Sequence, residues 1–403
     1  MTKYLSEMGV ECHVLTVDEE KASYPSIDRS LEKDIPESVK VYKTNSFEIL
    51  KLYEQFAGNK GVPMAGASYG KKESFKAKTV KFIRSNFFIP DPRKGWKKYA
   101  YKKAVEIIQD NNISTVITTS PPHSTQLIGL KLKKKLGINW IVDLRDPWTD
   151  IYYYDQLRHS VGSNKINRNY EQNVLEKSDL ITTVSDGFKQ IFASKLTSEE
   201  SQKIRILPNG YDHQDFEKLS KNKAERSFVI TYTGSISDLY KPSVFFEALN
   251  DVSKMENICI TLKMLGSISE NIHTTISEAD YEAEIISNVP HDEVIQYQMD
   301  ADLLLLAIPA TEGAKGILPG KIFEYLATKN RIINIGPKDG DAARIVEECG
   351  LGETFERGNK RIIIDQLKKE IDFKIKGNFP SYSKEKIAKY SRTLQAETLV
   401  KWI

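Results

Sequence analysis

A glycine-rich loop that opens a helix is suited to holding phosphate. The sequence has one at Gly316-Ile-Leu-Pro-Gly320-Lys321-Ile-Phe-Glu324. A helix N-terminus presents N–H groups without partners and the positive end of the helix dipole. Glycines at 316 and 320 let a ligand approach the backbone. Lys321 adds a full positive charge at the same end. Glu324 lies three residues on, on the same helix face. Its carboxylate could take two hydrogen bonds from vicinal hydroxyls such as those of a ribose. The same spacing also suits a Pro-Gly turn that caps an amphipathic helix with a solvated Lys–Glu pair.

A second loop, Tyr232-Thr-Gly234-Ser-Ile-Ser-Asp-Leu-Tyr-Lys241-Pro242, follows a strand-like run. Gly234 and Lys241 are its conformationally free and its charged residue. A surface loop with an unrelated lysine fits the same residues. Earlier in the chain, Ser120-Pro-Pro-His123-Ser124 and Asp143-Leu-Arg145-Asp146-Pro-Trp148 each follow a strand-like run. His123 could hydrogen-bond a ligand hydroxyl. Asp143 or Asp146 could orient such a hydroxyl, and Arg145 could meet a charged group. Asp143 and Arg145, two apart in extended chain, share a face, so a buried pair that fastens the loop is an equal reading. Asp300-Ala-Asp302 and Asp339-Gly-Asp341 spell a pattern that elsewhere holds metal. The first sits between a helix and a strand, and Asp341 reads as a helix N-cap, so no metal site is expected. His291-Asp-Glu293 reads as a helix start.

These residues need strands that end where they begin. Cys12–Val17, Val39–Lys43, Thr115–Thr119, Trp140–Leu144, Leu180–Val184 and Ile204–Leu207 read as strands. Helices are expected at Lys97–Gln109, Thr125–Leu136, Asn164–Lys177 and Asp186–Ser194. A second series has strands at Phe228–Thr233, Ile258–Leu265, Ile285–Val289, Leu303–Ile308 and Arg331–Ile335, again alternating with helices. Such alternation implies parallel sheets covered on both faces. Two series imply two Rossmann-like domains, with the polar stretch Asp212–Ser227 as linker. The expected division is 1–205, 206–383, and a helical tail, 384–403, packing back on the first domain. Ligands of open α/β sheets bind beyond the strands' carboxyl ends, so two facing sheets would make a cleft. Asn45–Asn86 is the least regular stretch and reads as an excursion from the first domain.

Lys321 to Ala327 (KIFEYLA), followed by Ile332–Ile335, Gly336-Pro337 and Asp339-Gly340-Asp341, resembles the donor site of glycosyltransferase family 4. Asp143 to Trp148, Pro208-Asn-Gly-Tyr-Asp212 and Tyr232-Thr-Gly234 fall where such enzymes have similar motifs, so the resemblance extends through most of the chain. It implies an α/β GT-B fold, with an acceptor-binding first domain and a donor-binding second. It implies a nucleotide-diphosphate sugar as donor, transfer with retention, and no bound metal or cofactor. Glu324 matches the family acid that holds ribose. Gly316 stands where its partner acid is expected, eight residues earlier. Ser235 stands where an arginine is common, while Lys241 remains. The expected donor contacts are therefore Gly234, Lys241, Gly316, Gly320, Lys321 and Glu324. The family also begins with a strand and a glycine-rich loop, whereas Tyr4 to Gly9 reads as the end of the helix that follows them. That leaves the activity of the form starting at Met1 open.

Composition bounds the rest. The 403 residues are 40% hydrophobic and 28% charged, as in an ordinary globular chain. Three separated cysteines make neither a disulfide framework nor a metal knuckle. The start carries no signal-peptide pattern, and the longest apolar run, Leu303–Ile308, is far short of a membrane span. A cytoplasmic protein is expected. Between Lys71 and Lys103 there are twelve Lys/Arg against two acids, with aromatics interleaved. This stretch is either a solvated face or a surface for anionic lipid, each basic residue contributing ~1 kcal/mol there. No nucleic-acid module accompanies it. The function expected is sugar transfer onto a saccharide or lipid-linked acceptor, in cell-surface polysaccharide or glycolipid synthesis, peripheral to the membrane. The alternatives are a nucleotide-sugar epimerase and a non-catalytic nucleotide-binding subunit.

Overall fold

The computed structural model describes residues 1–22, 24, 29–47, 82–222, 227–256, 258–287 and 289–403, with only the backbone at 30 and 31. Most of the irregular excursion, and the basic stretch from 71 to 81, therefore lie outside the described residues. The chain divides into Met1–Pro208 with Ala396–Ile403, and Asn209–Gln395.

In the first unit the order is α1 (Thr2–Glu7), β1 (His13–Val17), β2 (Lys40–Thr44), α2 (Lys97–Asp110), β3 (Thr115–Ser120), α3 (Ser124–Leu136), β4 (Asn139–Leu144), α4 (Val161–Lys177), β5 (Leu180–Thr183), α5 (Asp186–Ala193) and β6 (Ile204–Ile206). All strand pairs are parallel. Among the described residues β1 and β2 form one sheet and β3-β4-β5-β6 another, in that order. Strand β4 is buried through Leu144. Its Ile141 packs with Tyr4, Leu5, Val39 and Leu207, and also with Ala396 and Leu399 from the tail.

In the second unit α6 (Gln214–Glu217) precedes β7 (Ser227–Thr233), α7 (Ser243–Met255), β8 (Cys259–Leu265), α8 (Glu270–Ser277), β9 (Glu282–Ile286), α9 (His291–Asp300), β10 (Leu303–Ala307), α10 (Lys321–Thr328), β11 (Arg331–Ile335), α11 (Asp341–Glu348), β12 (Gly352–Phe355), α12 (Lys360–Lys376) and α13 (Lys384–Ala388); α14 (Arg392–Val400) begins in this unit and belongs to the first from Ala396 on. The sheet runs β12-β11-β10-β7-β8-β9, all parallel. The apolar run of β10 is explained by burial on both faces. Leu303, Leu305 and Ala307 join one core with Phe245 and Ile363. Leu304, Leu306 and Ile308 join the other, with Phe323 and Val346. A strand's period of two divides them in this way.

Some expectations shift. The tail does not pack as a whole on the first unit, because Ile387 belongs to a core of the second. Strand β9 begins three residues before the expected one. It is an edge strand whose acids face out and pair across to β8, Glu284 with Lys263 at 3.1 Å and Glu282 with Thr261 at 3.1 Å. Its hydrophobic pattern is correspondingly weak. Asp341 is not an N-cap: Gly340 holds that position, and Asp341 accepts from Arg344 at 2.6 Å.

Candidate active site

In the second unit the chain order reverses at β7, which has β8 on one side and β10 on the other. A crevice is expected beyond the carboxyl ends of such strands. The residues leaving those ends are small. Gly234 follows β7 with φ +99°, and Gly266 follows β8 with φ +118°. A Cβ at Gly266 would lie 2.7 Å from the Gly234 carbonyl oxygen, so only glycine lets these two turns touch.

Lys321 opens α10 and reaches into this corner. Its Nζ lies 3.7 Å from the centroid of the Tyr232 ring. A Cβ at Gly234 would come within 3.0 Å of that Nζ. Tyr232 is held by its hydroxyl, which donates to the Ser235 carbonyl at 2.8 Å. Among the described residues no carboxylate stands within ion-pair distance of Lys321. Burial therefore lowers its pKa from 10.5 to about 7, and the charge of Glu324 only partly opposes this. Gly320, the N-cap of α10, offers no side-chain cap, and a Cβ there would meet open space.

Glu324 sits one helical turn on. Its Oε2 accepts from Gln298 Nε2 at 2.8 Å, and its Oε1 lies 3.5 Å from His291 Nε2. Gln298 also donates to Thr233 Oγ1 at 3.2 Å. Next to Glu324, the Tyr325 hydroxyl accepts from the Thr233 backbone N–H at 3.0 Å and ties α10 to the end of β7. Burial raises the Tyr325 pKa, so this hydroxyl stays neutral. The structure thus brings Gly234, Lys321 and Glu324 together. Gly316 is buried in a single 3-10 turn, Ala314–Gly316, ahead of α10. Lys241 is exposed at φ +47°, ending the 3-10 turn Asp238–Tyr240. Sequence reasoning missed Gly266 and Gln298, quoted Tyr232 and Tyr325 within motifs without giving them a role, and read His291 only as a helix start. No spacing signal connects these residues, because α9 lies between strands and meets α10 only in the fold.

In the first unit the loops after β3 and β4 meet. Asp143 is fully engaged. It accepts from Thr119 Oγ1 at 2.8 Å, from Thr182 Oγ1 at 2.8 Å and from Arg145 Nε at 2.9 Å. This is the loop-fastening arrangement. The His123 ring stacks on Trp148 at 4.7 Å, and its buried Nδ1 has no partner among the described residues. Burial, with the charge of Lys195 second, lowers its pKa to about 3, so the imidazole is neutral near pH 7. The Asp146 carboxyl is pushed up by burial, against the pull of Arg145. Below the loop, Lys195 pairs with buried Glu171 at 2.7 Å and also with Asp150.

The family model described as Glycosyltransferase Family 4 matches residues 58–215. Solved structures extend the likeness to the whole chain at the level of fold. Sucrose-phosphate synthase from Thermosynechococcus elongatus is 11% identical, with TM-score 0.63, covering 99% of this chain and 90% of its own. HepE from Anabaena, in complex with UDP and glucose, is 12% identical, with TM-score 0.60, covering 97% and 99%. WaaG, a glycosyltransferase involved in lipopolysaccharide biosynthesis, is 11% identical, with TM-score 0.52, covering 100% and 90%. The chain is a glycosyltransferase of GT-B fold. No curated protein matches it in sequence. Among the described residues no helix is long and apolar enough to cross a membrane.

Proposed function

We propose that the chain transfers a sugar from a nucleotide-diphosphate donor held in the second unit to a saccharide or lipid-linked acceptor bound by the first. The observation that carries this reading is Lys321. A largely desolvated ammonium with no carboxylate partner among the described residues, at the start of a helix and against a glycine turn, is a site prepared for an anion. The diphosphate would lie between Gly234 and Gly320, with Lys321 neutralising the charge that develops as it leaves. Lys241 and Gly316 would flank it. Glu324, one turn along, would take the ribose hydroxyls, held in orientation by Gln298. On the acceptor side Asp146 and His123 are the groups left for hydroxyl contacts, because Asp143 and Arg145 are committed to each other. HepE bound to UDP and glucose, and the role of WaaG in lipopolysaccharide synthesis, support a sugar nucleotide and a cell-surface product. We further propose retention of anomeric configuration, no metal requirement, and action at the inner face of the membrane.

Calorimetric titration with UDP, GDP and ADP tests the donor site, alongside Glu324→Ala. One base should bind, and the variant should bind it about 10- to 100-fold more weakly, the value of hydrogen bonds to a charged group. No binding of any nucleotide would overturn the reading in favour of a non-catalytic subunit. Conversion of the sugar nucleotide without acceptor would show an epimerase instead.

A further inference from the structure

The first unit holds a cavity of about 570 Å³ between the start of α2 and the face of α3, away from the loops after β3 and β4. That volume suits a small organic ligand. Four ammonium groups line it, Lys94, Lys97, Lys98 and Lys131, and among the described residues no carboxylate does. Lys94 donates to the Phe87 carbonyl at 2.5 Å, and Lys131 lies 3.8 Å from the Tyr101 ring centroid. Lys97 has no ion pair among the described residues. Its pKa is lowered by burial and by the charges of Lys94 and Lys131, with Asp91 opposing. Asp91 is already committed. It accepts from the Ser124 backbone N–H at 2.7 Å, from Ser124 Oγ at 2.9 Å and from the Arg93 N–H at 2.9 Å. The first turn of α2 contains no acid and has no side-chain cap, and it places two lysines where the helix dipole is already positive. Among the described residues the cluster is thus short of negative charge.

The remaining wall is apolar. Leu127 and Ile128 of α3 form one side, and Tyr99 and Phe47 the other. Tyr99 is 39% exposed and Phe47 55% exposed. Phe47 is held in place by close packing: a Cβ at Gly95 would lie 2.0 Å from its carbonyl oxygen. Charge and apolar surface therefore adjoin in one recess. We propose that this cavity binds a phosphate- or diphosphate-bearing amphiphile, its head among Lys94, Lys97 and Lys131 and the start of its tail against Phe47, Tyr99 and Leu127. That the amphiphile is the sugar acceptor rests on the proposed function; the binding itself does not.

The test is calorimetry with three probes below micellar concentration: dodecyl phosphate, inorganic phosphate and dodecyl maltoside. Dodecyl phosphate should bind at least tenfold more tightly than either of the others. Lys97→Gln with Lys131→Gln should weaken it at least tenfold. Phe47→Ser should weaken dodecyl phosphate but leave inorganic phosphate unchanged. Nucleotide titration of the same variants should be unaltered, so failure here and failure of the donor site are read separately. Equal binding of inorganic phosphate would overturn the proposal in favour of a free-phosphate site. Binding only to phosphatidylglycerol vesicles, and not to monomeric dodecyl phosphate, would overturn it in favour of a bilayer-facing surface. Dodecyl phosphate binding indifferent to the lysine pair would refute the placement.

Discussion

If Lys321 meets the diphosphate, nucleotide binding must take up a proton above neutral pH. The free ammonium has its pKa lowered to about 7, so it is half charged at pH 7. It is charged in about one molecule in ten at pH 8 and about one in a hundred at pH 9. A bound diphosphate restores the favoured charge and returns the pKa toward its ordinary value. Affinity should therefore fall about fivefold from pH 7 to pH 8, and about tenfold more by pH 9. The terminal phosphate of a nucleoside diphosphate, with its second pKa near 6, is ionised throughout this window. Calorimetry in two buffers of different ionisation enthalpy measures the uptake directly. We expect about half a proton at pH 7 and close to one at pH 8.5. Lys321→Met should bind at least tenfold more weakly and take up none. In the ligand-free chain the unfolded state binds more protons between about pH 7 and 10.5, so this lysine adds stability as pH rises through that window. Tight binding by the unaltered chain with no proton uptake at pH 8.5 would refute the placement of the diphosphate at Lys321.

Two further outcomes follow from contacts already described. Gly266→Ala forces a side chain into φ +118° and onto the Gly234 carbonyl. It should cost about 1–3 kcal/mol and lower the melting temperature by several degrees, with nucleotide affinity falling at least tenfold; intact affinity would show that the glycine corner is not the binding site. Asp143→Ala removes the acceptor shared by Thr119, Thr182 and the half-exposed Arg145, at a cost of about 1–3 kcal/mol. The four tryptophans, Trp96, Trp140, Trp148 and Trp402, all belong to the first unit, so the urea midpoint from their fluorescence should drop. An unchanged midpoint would mean that the loop is not fastened by Asp143.

Much of the architecture could be read from the chain because it depends on local pattern. The alternation of β-rich and amphipathic runs located most strands to within a residue or two. The run Leu303–Ile308 identified itself as a strand buried on both faces, since no exposed element is apolar at every position. Elements stabilised by exposed polar pairs were less visible, as with β9, whose acids answer groups on a neighbouring strand. The short edge strand β12 and helix α8 also went unread. Lys321 and Glu324 stood out because a glycine loop, a cation and an acid at helical spacing form a local pattern.

What the sequence determined by itself was the set of groups at the ends of strands, since strand and helix periods are properties of adjacent residues. What only the tertiary structure decided was their condition. Asp143 reads in the chain equally as an orienting acid and as half of a fastening pair, and threonines from β3 and β5 with Arg145 occupy it in the fold. His123 reads only as a hydrogen-bonding group at a loop, yet burial beside Trp148 keeps its imidazole neutral near pH 7. Lys321 looks like a solvated lysine, yet it lies over Tyr232, brought there from about ninety residues away. Desolvation and hydrogen-bond saturation depend on which elements pack together, and adjacency along the chain carries no record of that.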